Sequence, residues 1–272
     1  MRRWWAPATT AISLAAAVVA GTLAPAPGGA AGDAVQRLIA AVSAIEPISG
    51  ELAPARLRRA CGDDARCVAR RVAEALPRAR LVRVRHPDTD WIRWAYTRAA
   101  IPEVRRLADG RLLVEITGFG RNVQTELAAA RADGDGAGLV VDLRANRGGD
   151  FGRMLQVAAD LTGPVDRALI LVGRDGPRPV ALAASAAPPR QPIVVLIGPA
   201  TASSAEILAA LLRRHGGAEL VGGRTVGKDY LLRIVPVDHD WRLLVPAERV
   251  RVPGETLAGG LQADRPLPAT FN

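Results

Sequence analysis

Residues 139–149 read LVVDLRANRGG, an unbroken apolar run that ends in a charged turn and two glycines. Short apolar runs rich in β-branched residues are typical of strands that are buried on both faces. Residues 193–197, IVVLI, have the same character. Further strand-like segments lie at 112–117, 169–172 and 220–221, and helical patterns lie at 122–133, 151–161 and 203–215. This alternation predicts an α/β fold with a layered core.

The composition of the 272-residue chain is that of a globular protein. Apolar residues make up 49% and charged residues 23%, which excludes a disordered tail, a collagen and a coiled coil. Of the 36 basic residues, one is a lysine, Lys228, and all the others are arginines. The formal net charge is +9, but the arginines are spread along the chain, so nucleic-acid binding is not predicted. No glycine-rich nucleotide-binding motif occurs, and no cofactor is expected.

Residues 1–31 have the pattern of a secretory signal peptide. Arg2 and Arg3 precede the apolar run 11–24, and the small residues 28–31 follow it. The apolar run is shorter than a membrane-spanning helix requires. We therefore expect export to the periplasm or the extracellular space, with an uncleaved N-terminal anchor as the alternative.

The two cysteines of the chain, Cys61 and Cys67, favour a structural disulfide, because they form an even pair in a chain that is predicted to be exported. Gly62 between them can end one helix, and an aspartate can cap the next. We expect the disulfide to bridge this helix–turn–helix corner. A metal site is not expected, because no histidine or second cysteine pair is close in the sequence.

Three segments are predicted after the signal peptide. Residues 32–85 form a small helical region of two or three helices, residues 86–110 an irregular connecting segment, and residues 111–272 the main domain. The apolar positions of the helical region define two faces: Val35, Leu38, Ile39 and Val42 on one, and Val68, Val72 and Leu76 on the other. Its arginine-rich surface fits either contact with an anionic envelope surface or ordinary solvation.

The helix predicted from Ser203 has two interpretations at its start. Ser203-x-x-Glu206 matches the capping box, in which the serine only begins the helix. Alternatively, Ser203 is a nucleophile at the point where strand 193–197 leads into a helix. The free N–H groups and positive dipole end of that helix would stabilise an oxyanion. The glycines at 148–149 could turn a further backbone N–H outward and supply half of an oxyanion hole.

A serine nucleophile needs a base, and Lys228 is the candidate. His86, His215 and His239 belong to no recognisable triad motif, and no G-x-S-x-G elbow occurs. Arginine keeps its proton in proteins, whereas lysine can act as a base once burial lowers its pKa from about 10.4 to roughly 7–8. A surface lysine retained by chance is the alternative.

Three motifs, in order, carry a resemblance to a known family. They read DLRANRGG at 142–149, TASSAE at 201–206 and TVGK at 225–228, and Ser203 and Lys228 are 25 residues apart. Together they resemble the carboxyl-terminal processing (tail-specific) serine peptidases, which have a crotonase-like fold. The resemblance covers about residues 111–266.

The resemblance implies roles for four residues. Ser203 would be the nucleophile and Lys228 the general base, while the backbone N–H groups of Gly149 and Ser204 would form the oxyanion hole. The resemblance also implies an acyl-enzyme intermediate, with no metal and no cofactor.

The sequence departs from the family pattern at several places, among them Ser204, where alanine is usual, and residues 260–264, which only partly match the usual Gly-x-x-Pro-Asp ending. Members usually carry a PDZ domain, for which residues 86–110 are too few, and Leu232 stands where some members have a glutamine that orients the lysine. We therefore predict an exported Ser-Lys endopeptidase that lacks a PDZ domain and cleaves polypeptides, with cleavage near C-termini as the narrower expectation. A catalytically inactive binding or scaffold module of the cell envelope is the alternative.

Overall fold

The computed structural model describes residues 31–45, 50–83, 101, 103–132, 136–183 and 187–268. Almost all of the predicted signal peptide and most of the connecting segment, including His86, lie outside these ranges. Within them, no helix is both long enough and apolar enough to cross a bilayer.

Helices and strands alternate through most of the described chain. In chain order the elements are α1 (Ala31–Ile45), a 3-10 turn (Gly50–Leu52), α2 (Pro54–Cys61), α3 (Ala65–Ala75), β1 (Arg80–Arg83), β2 (Glu103–Arg106), β3 (Leu112–Glu115), α4 (Val123–Arg131), β4 (Leu139–Asp142), α5 (Phe151–Thr162), β5 (Val165–Gly173), β6 (Gly176–Leu182), β7 (Ile193–Ile197), α6 (Ser204–Gly216), β8 (Glu219–Gly222), β9 (Tyr230–Pro236) and β10 (Trp241–Arg251). This order confirms the predicted α/β class, and the predicted elements shift only slightly at most of their ends.

A mainly parallel sheet forms the centre of the molecule, with strand order β2-β3-β4-β7-β8. β2 is antiparallel to β3, and the other three pairings are parallel. Every residue of β4 and β7 is buried, as expected for strands covered on both faces. Met154 of α5 and Leu208 of α6 are buried in the main core. β4 and β7 are adjacent and parallel, and they lead to α5 and α6. The two motifs that follow these strands therefore meet at the carboxyl-terminal end of the sheet.

A second, antiparallel sheet has the order β1-β10-β5-β6, with β9 also paired to β10. β10 is 11 residues long, and its pairing with β9 shifts register between Pro246 and Glu248. β5 extends well beyond the apolar run 169–172 that the sequence indicated. Its first residues are largely exposed, so they lack the apolar signal by which buried strands are recognised.

The N-terminal helices pack on this second sheet. Both predicted helical faces are buried except for Leu76, which is partly exposed. Their apolar side chains share one cluster with Val235, Leu243 and Val245 of β9 and β10. The helical region therefore shares its core with strands from the far end of the chain, and β1 adds a backbone connection to β10.

The corner between α2 and α3 has the arrangement that the sequence predicts. Cys61 and Cys67 form a disulfide. Gly62 ends α2, and the Asp64 carboxylate caps α3 by accepting hydrogen bonds from the amides of Arg66 and Cys67. These contacts fix the angle between the two helices.

One part of the connecting segment was predicted wrongly as irregular. Residues 103–106 form β2, an edge strand of the parallel sheet. All four of its residues are exposed, so the sequence shows no apolar alternation there. Backbone pairing with β3, rather than burial, holds this strand.

Candidate active site

Ser203 has a strained backbone at the junction of β7 and α6. Its φ is 57° and its ψ is −124°, a combination that a residue with a Cβ atom adopts only at a cost in free energy. Among the described residues, Arg78 is the only other non-glycine residue with a positive φ. Residues 198–202 separate Ser203 from the end of β7, and Ser203 is partly exposed where α6 begins.

The capping box that the sequence predicts is present at this helix start. Its carboxylate half is a 2.7 Å hydrogen bond from the Ser203 amide to Glu206 Oε2. Its hydroxyl half lacks the geometry of a full hydrogen bond. The Ser203 oxygen acts in the capping box only as an acceptor, so its hydroxyl proton remains available and the two interpretations of this residue are compatible.

Glu206 links the two predicted catalytic residues through their backbones. Its residue surface is fully buried. Oε2 accepts hydrogen bonds from the amides of Ser203 (2.7 Å) and Lys228 (2.9 Å). Oε1 accepts from the hydroxyl of Thr225 (2.5 Å) and the amide of Gly227 (2.6 Å). Sequence analysis gave Glu206 only a capping role, because its spacing from Ser203 carries no signal of contact with the later loop.

The glycine pair at 148–149 packs directly on the start of α6. A Cβ atom on Gly148, whose φ is 101°, would lie 3.0 Å from Ser203 Cβ and 3.3 Å from Ser204 N. The Ser204 hydroxyl donates a 3.0 Å hydrogen bond to the carbonyl oxygen of Gly149. The Ser204 amide is the first N–H of α6 and so has no acceptor within the helix. The structure thus brings the predicted oxyanion residues, Gly149 and Ser204, together beside Ser203.

Asn146 shapes the turn that carries these glycines. Its residue surface is fully buried. Its Nδ2 donates to the carbonyl oxygen of Ile116 (2.9 Å), and its Oδ1 accepts from the Gly148 amide (2.8 Å). Its own carbonyl oxygen accepts from the Ala202 amide (3.1 Å). One asparagine therefore fixes the distance between the glycine turn and the residue that precedes the candidate nucleophile.

Lys228 lies in the loop that Glu206 anchors, and it is partly buried. In the part of the chain that the structure describes, no hydrogen bond joins Lys228 Nζ to Ser203 Oγ. Hydrogen bonds between catalytic groups are often long before substrate binds and tighten in the complex. Glu206 therefore connects the backbones of Ser203 and Lys228, while Ser203 Oγ and Lys228 Nζ are not hydrogen bonded to each other.

The segment 257–265 packs against the loop that carries Lys228 and forms its supporting wall. The Thr225 amide donates to the carbonyl oxygen of Leu261 (3.2 Å), and the Thr225 hydroxyl accepts from the Leu261 amide (2.8 Å). A Cβ atom on Gly260 would lie 2.2 Å from the Thr225 carbonyl oxygen. Close backbone contact with this late segment therefore fixes the path of the loop that carries Lys228.

Residues 112–265 match the model of peptidase family S41. The chain belongs to peptidase family S41. The match spans more than half of the chain and includes both the glycine turn at 148–149 and the loop of Lys228. The predicted family resemblance is therefore confirmed.

Two curated relatives are similar to this S41 chain. The carboxyl-terminal-processing protease of Synechocystis sp. is 30% identical over 146 residues, which cover 52% of this chain and 33% of the relative. The chloroplastic carboxyl-terminal-processing peptidase 3 of Arabidopsis thaliana is 30% identical over 153 residues, which cover 53% of this chain and 30% of the relative. The matched region is thus about a third of the length of each relative.

Two solved structures share the fold. The photosystem II D1 C-terminal processing protease has a TM-score of 0.53 at 23% identity, over 70% of this chain and 48% of that one. A lipoprotein from Streptococcus agalactiae has a TM-score of 0.67 at 16% identity, over 90% of this chain and 94% of that one. At these identities the likeness concerns the fold.

A row of carboxylates crosses the parallel sheet of the S41 domain. Glu115 on β3 pairs in register with Glu103 on β2 and with Asp142 on β4. Burial raises the pKa of Glu115 above its ordinary value, and the negative charges of Asp142 and Glu103 raise it further. The Arg144 guanidinium opposes this rise, and it donates to both carboxylate oxygens of Asp142. The aspartate and arginine of the first motif therefore pair with each other.

The two histidines in the described ranges lie in other surroundings. A ring nitrogen of His215 is 3.0 Å from the carbonyl oxygen of Ala168, and His239 lies beside Asp240 between β9 and β10. No described hydrogen bond joins either histidine to Ser203. Within the described ranges, no three side chains of His, Cys, Asp or Glu are grouped as metal ligands.

Proposed function

We propose that this S41 chain is an exported serine endopeptidase that hydrolyses polypeptides through Ser203 and Lys228, in a crotonase-like domain spanning residues 111–272. The observation that carries the proposal is the strained backbone of Ser203, which holds its hydroxyl beside the glycine turn at 148–149. Backbone strain persists only where the surrounding structure enforces it, and it concentrates at functional sites. The two relatives are named as carboxyl-terminal-processing enzymes, which favours cleavage near C-termini.

The reaction begins with the transfer of the Ser203 hydroxyl proton to the neutral amine of Lys228. Ser203 Oγ attacks the carbonyl carbon of the scissile peptide bond, and the carbonyl oxygen becomes an oxyanion. The N–H groups of Gly149 and Ser204 donate hydrogen bonds to this oxyanion, and the positive end of the α6 dipole stabilises it further. In comparable sites, removal of one donor lowers kcat by about 10²–10³-fold.

Collapse of the tetrahedral intermediate breaks the C–N bond. The Lys228 ammonium returns its proton to the leaving amine, and an ester of Ser203 remains as the acyl-enzyme. Water, which gives a proton to Lys228, then attacks this ester. The second product leaves as a carboxylic acid, and the Ser203 hydroxyl regains its proton. The net reaction consumes one water molecule for each peptide bond cleaved.

Substrate binding has a defined structural task in this mechanism. Glu206 fixes the amides of Ser203 and Lys228, but their reactive atoms are not yet hydrogen bonded in the described structure. We expect the bound polypeptide to exclude water and to bring the Lys228 amine to Ser203 Oγ.

The test of the peptidase proposal is a set of parallel digests. Wild type, Ser203→Ala and Lys228→Arg are incubated with a mixture of unfolded polypeptides from neutral to alkaline pH, and mass spectrometry identifies the fragments. We expect cleavage by wild type alone. Lys228→Arg keeps the charge but cannot release its proton, so it should be inactive.

A matched control for the digests is Ser43→Ala. The Ser43 hydroxyl donates to the carbonyl oxygen of Ile39 within α1, and the carbonyl oxygen of Ser43, which accepts from Arg174, is kept in the variant, so the substitution should leave cleavage unchanged. Near-normal turnover by Lys228→Arg would remove Lys228 as the base. Folded wild type without any Ser203-dependent cleavage would favour the alternative, a binding or scaffold module.

Export is part of the proposal and has its own test. The N-terminal pattern 1–31 and the Cys61–Cys67 disulfide both fit an oxidising compartment outside the cytoplasm. N-terminal sequencing of the protein from cell fractions decides the matter. A mature protein in the envelope or medium that begins near residue 32 supports export, and a cytosolic protein that retains residues 1–31 contradicts it.

Association with an anionic envelope surface is a separate proposal. Arg58 and Arg59 on α2, and Arg70 and Arg71 on α3, are exposed, and none has an ion-pair partner among the described residues. Vesicles that contain anionic lipid should bind the protein, less strongly as salt is added. Binding should be equal for wild type and Ser203→Ala. Binding that is absent at low salt contradicts this proposal.

A further inference from the structure

Asp229, the residue that follows Lys228, is held by two arginines from different parts of the fold. Its side chain is 8% exposed. Oδ1 lies 3.3 Å from Nη1 of Arg78, and Oδ2 lies 3.1 Å from Nη1 of Arg249. Its carbonyl oxygen also accepts a 2.7 Å hydrogen bond from the Val250 amide. Charge-assisted bonds of this kind are stronger than neutral ones, so Asp229 is fixed through both its side chain and its backbone.

Arg78 belongs to the N-terminal part of the chain, between α3 and β1. Besides its ion pair with Asp229, its guanidinium carbon lies 4.7 Å from the centre of the Tyr230 ring, within cation–π range. Arg78 therefore contacts both residues that follow Lys228. Its φ of 68° is strained for a residue with a Cβ atom. The chain thus adopts an unfavourable backbone conformation at Arg78, whose side chain contacts the loop that carries Lys228.

The backbone of Lys228 is fixed on both sides by these contacts. Glu206 accepts from the Lys228 amide, and the Arg78–Asp229 pair holds the next residue. In the described part of the chain, the Lys228 amine itself has no hydrogen bond or ion pair. The path of the backbone therefore determines where the flexible Lys228 side chain starts.

We infer that Arg78 is a positioning residue, through which the N-terminal helical region sets the orientation of Lys228. The inference rests on the proposed function of Lys228 as the base, and it gives the helical region a part in catalysis. That region is firmly attached, because its apolar side chains share a buried cluster with Val235, Leu243 and Val245. Displacement of α3 would therefore carry Arg78, and with it Asp229, away from the arrangement that presents the amine.

The experiment uses the fact that Lys228 is the sole lysine of the chain. Protein labelled with ¹⁵N-lysine gives a single backbone amide signal, which reports on Lys228 without any need for peptidase activity. We compare Arg78→Gln with a matched control, Arg66→Gln. Arg66 on α3 pairs with Asp238, at the opposite end of β9 from Lys228. Both substitutions therefore break one ion pair between the N-terminal region and the β9–β10 hairpin.

Arg78→Gln is expected to shift the Lys228 signal and to lower kcat about tenfold with little change in KM, as a displaced catalytic group does. Asp229→Asn should act in the same way, and the double variant should lose little more, because the two residues form one pair. Arg78→Lys should restore part of the activity. Arg66→Gln should leave the Lys228 signal and kcat as in wild type.

An unshifted Lys228 signal in Arg78→Gln overturns the inference, as does an equal shift in Arg66→Gln. If Arg78→Gln does not fold, Arg78→Met, which adds no second lysine, is compared with Arg66→Gln by the same two criteria. If folded wild type cleaves no polypeptide, the proposed function fails, and the Lys228 signal still decides whether Arg78 positions this residue.

Discussion

Replacement of Ser203 by glycine should stabilise the protein while it abolishes activity. A non-glycine residue in so sparsely populated a backbone region costs about 1–3 kcal/mol, and Ser203 has φ 57° and ψ −124°. Glycine removes that cost but loses more entropy on folding, by about 0.4–1 kcal/mol. The net gain is about 1 kcal/mol, which corresponds to a rise in Tm of about 2–4 °C for a chain of this size.

Ser203→Ala is the matched variant, because it also removes the hydroxyl but keeps the Cβ atom and hence the strain. Thermal unfolding of wild type and both variants, together with the polypeptide digest, measures the two effects separately. Both variants should be inactive, and the glycine variant alone should melt higher than wild type. A glycine variant no more stable than the alanine variant would show that the surrounding structure does not strain Ser203.

The remaining predictions concern Glu206, Gly148 and Glu115. Glu206→Gln replaces one acceptor oxygen by an amide donor that faces N–H and O–H groups, so it should lower the free energy of unfolding by about 3 kcal/mol and also lower kcat. Denaturant titration measures the stability and a turnover assay measures kcat. No change in either would contradict the hydrogen-bonding role of the Glu206 carboxylate. Gly148→Ala should inactivate the enzyme, because its Cβ meets Ser203. Gly176 has a similar φ of 96°, but no atom lies near the position of an added Cβ atom, so Gly176→Ala should lower stability and leave turnover unchanged. Equal losses of turnover in the two alanine variants would refute the steric explanation for Gly148. Because the pKa of Glu115 is raised above 4.5, the folded state keeps a proton that the unfolded chain loses, and stability falls as pH rises through that window. The Tm of Glu115→Gln should therefore gain on that of wild type as pH rises above the ordinary pKa of glutamate, and a constant difference contradicts this.

The parallel sheet was largely predictable because its strands are buried on both faces. β7 is apolar throughout and β4 is apolar up to its last residue, Asp142, as burial on both faces favours. The helix from Ser204 was equally clear, since Glu206 and the apolar stripe mark its start and its buried side. Local patterns were sufficient here because each pattern directly reports the environment of its own segment.

The contacts that complete the candidate site were not predictable, because they join distant segments through backbone groups. Glu206 reaches Gly227, and Thr225 pairs with Leu261, yet backbone acceptors and donors leave no trace in residue type. The strand 103–106 escaped detection for a related reason, since pairing without burial needs no apolar residue. Nor does the sequence show that Arg78 adopts a positive φ, because arginine seldom does.

The contact between Thr225 and Leu261 also bears on when the protein can act. A growing polypeptide contains Ser203 and Lys228 before the ribosome has added Leu261, so the loop of Lys228 lacks its supporting wall throughout that interval. Nascent chains would then possess both reactive side chains and yet be harmless to neighbouring proteins. The order of synthesis alone would delay proteolysis until Leu261 has been added and can contact Thr225.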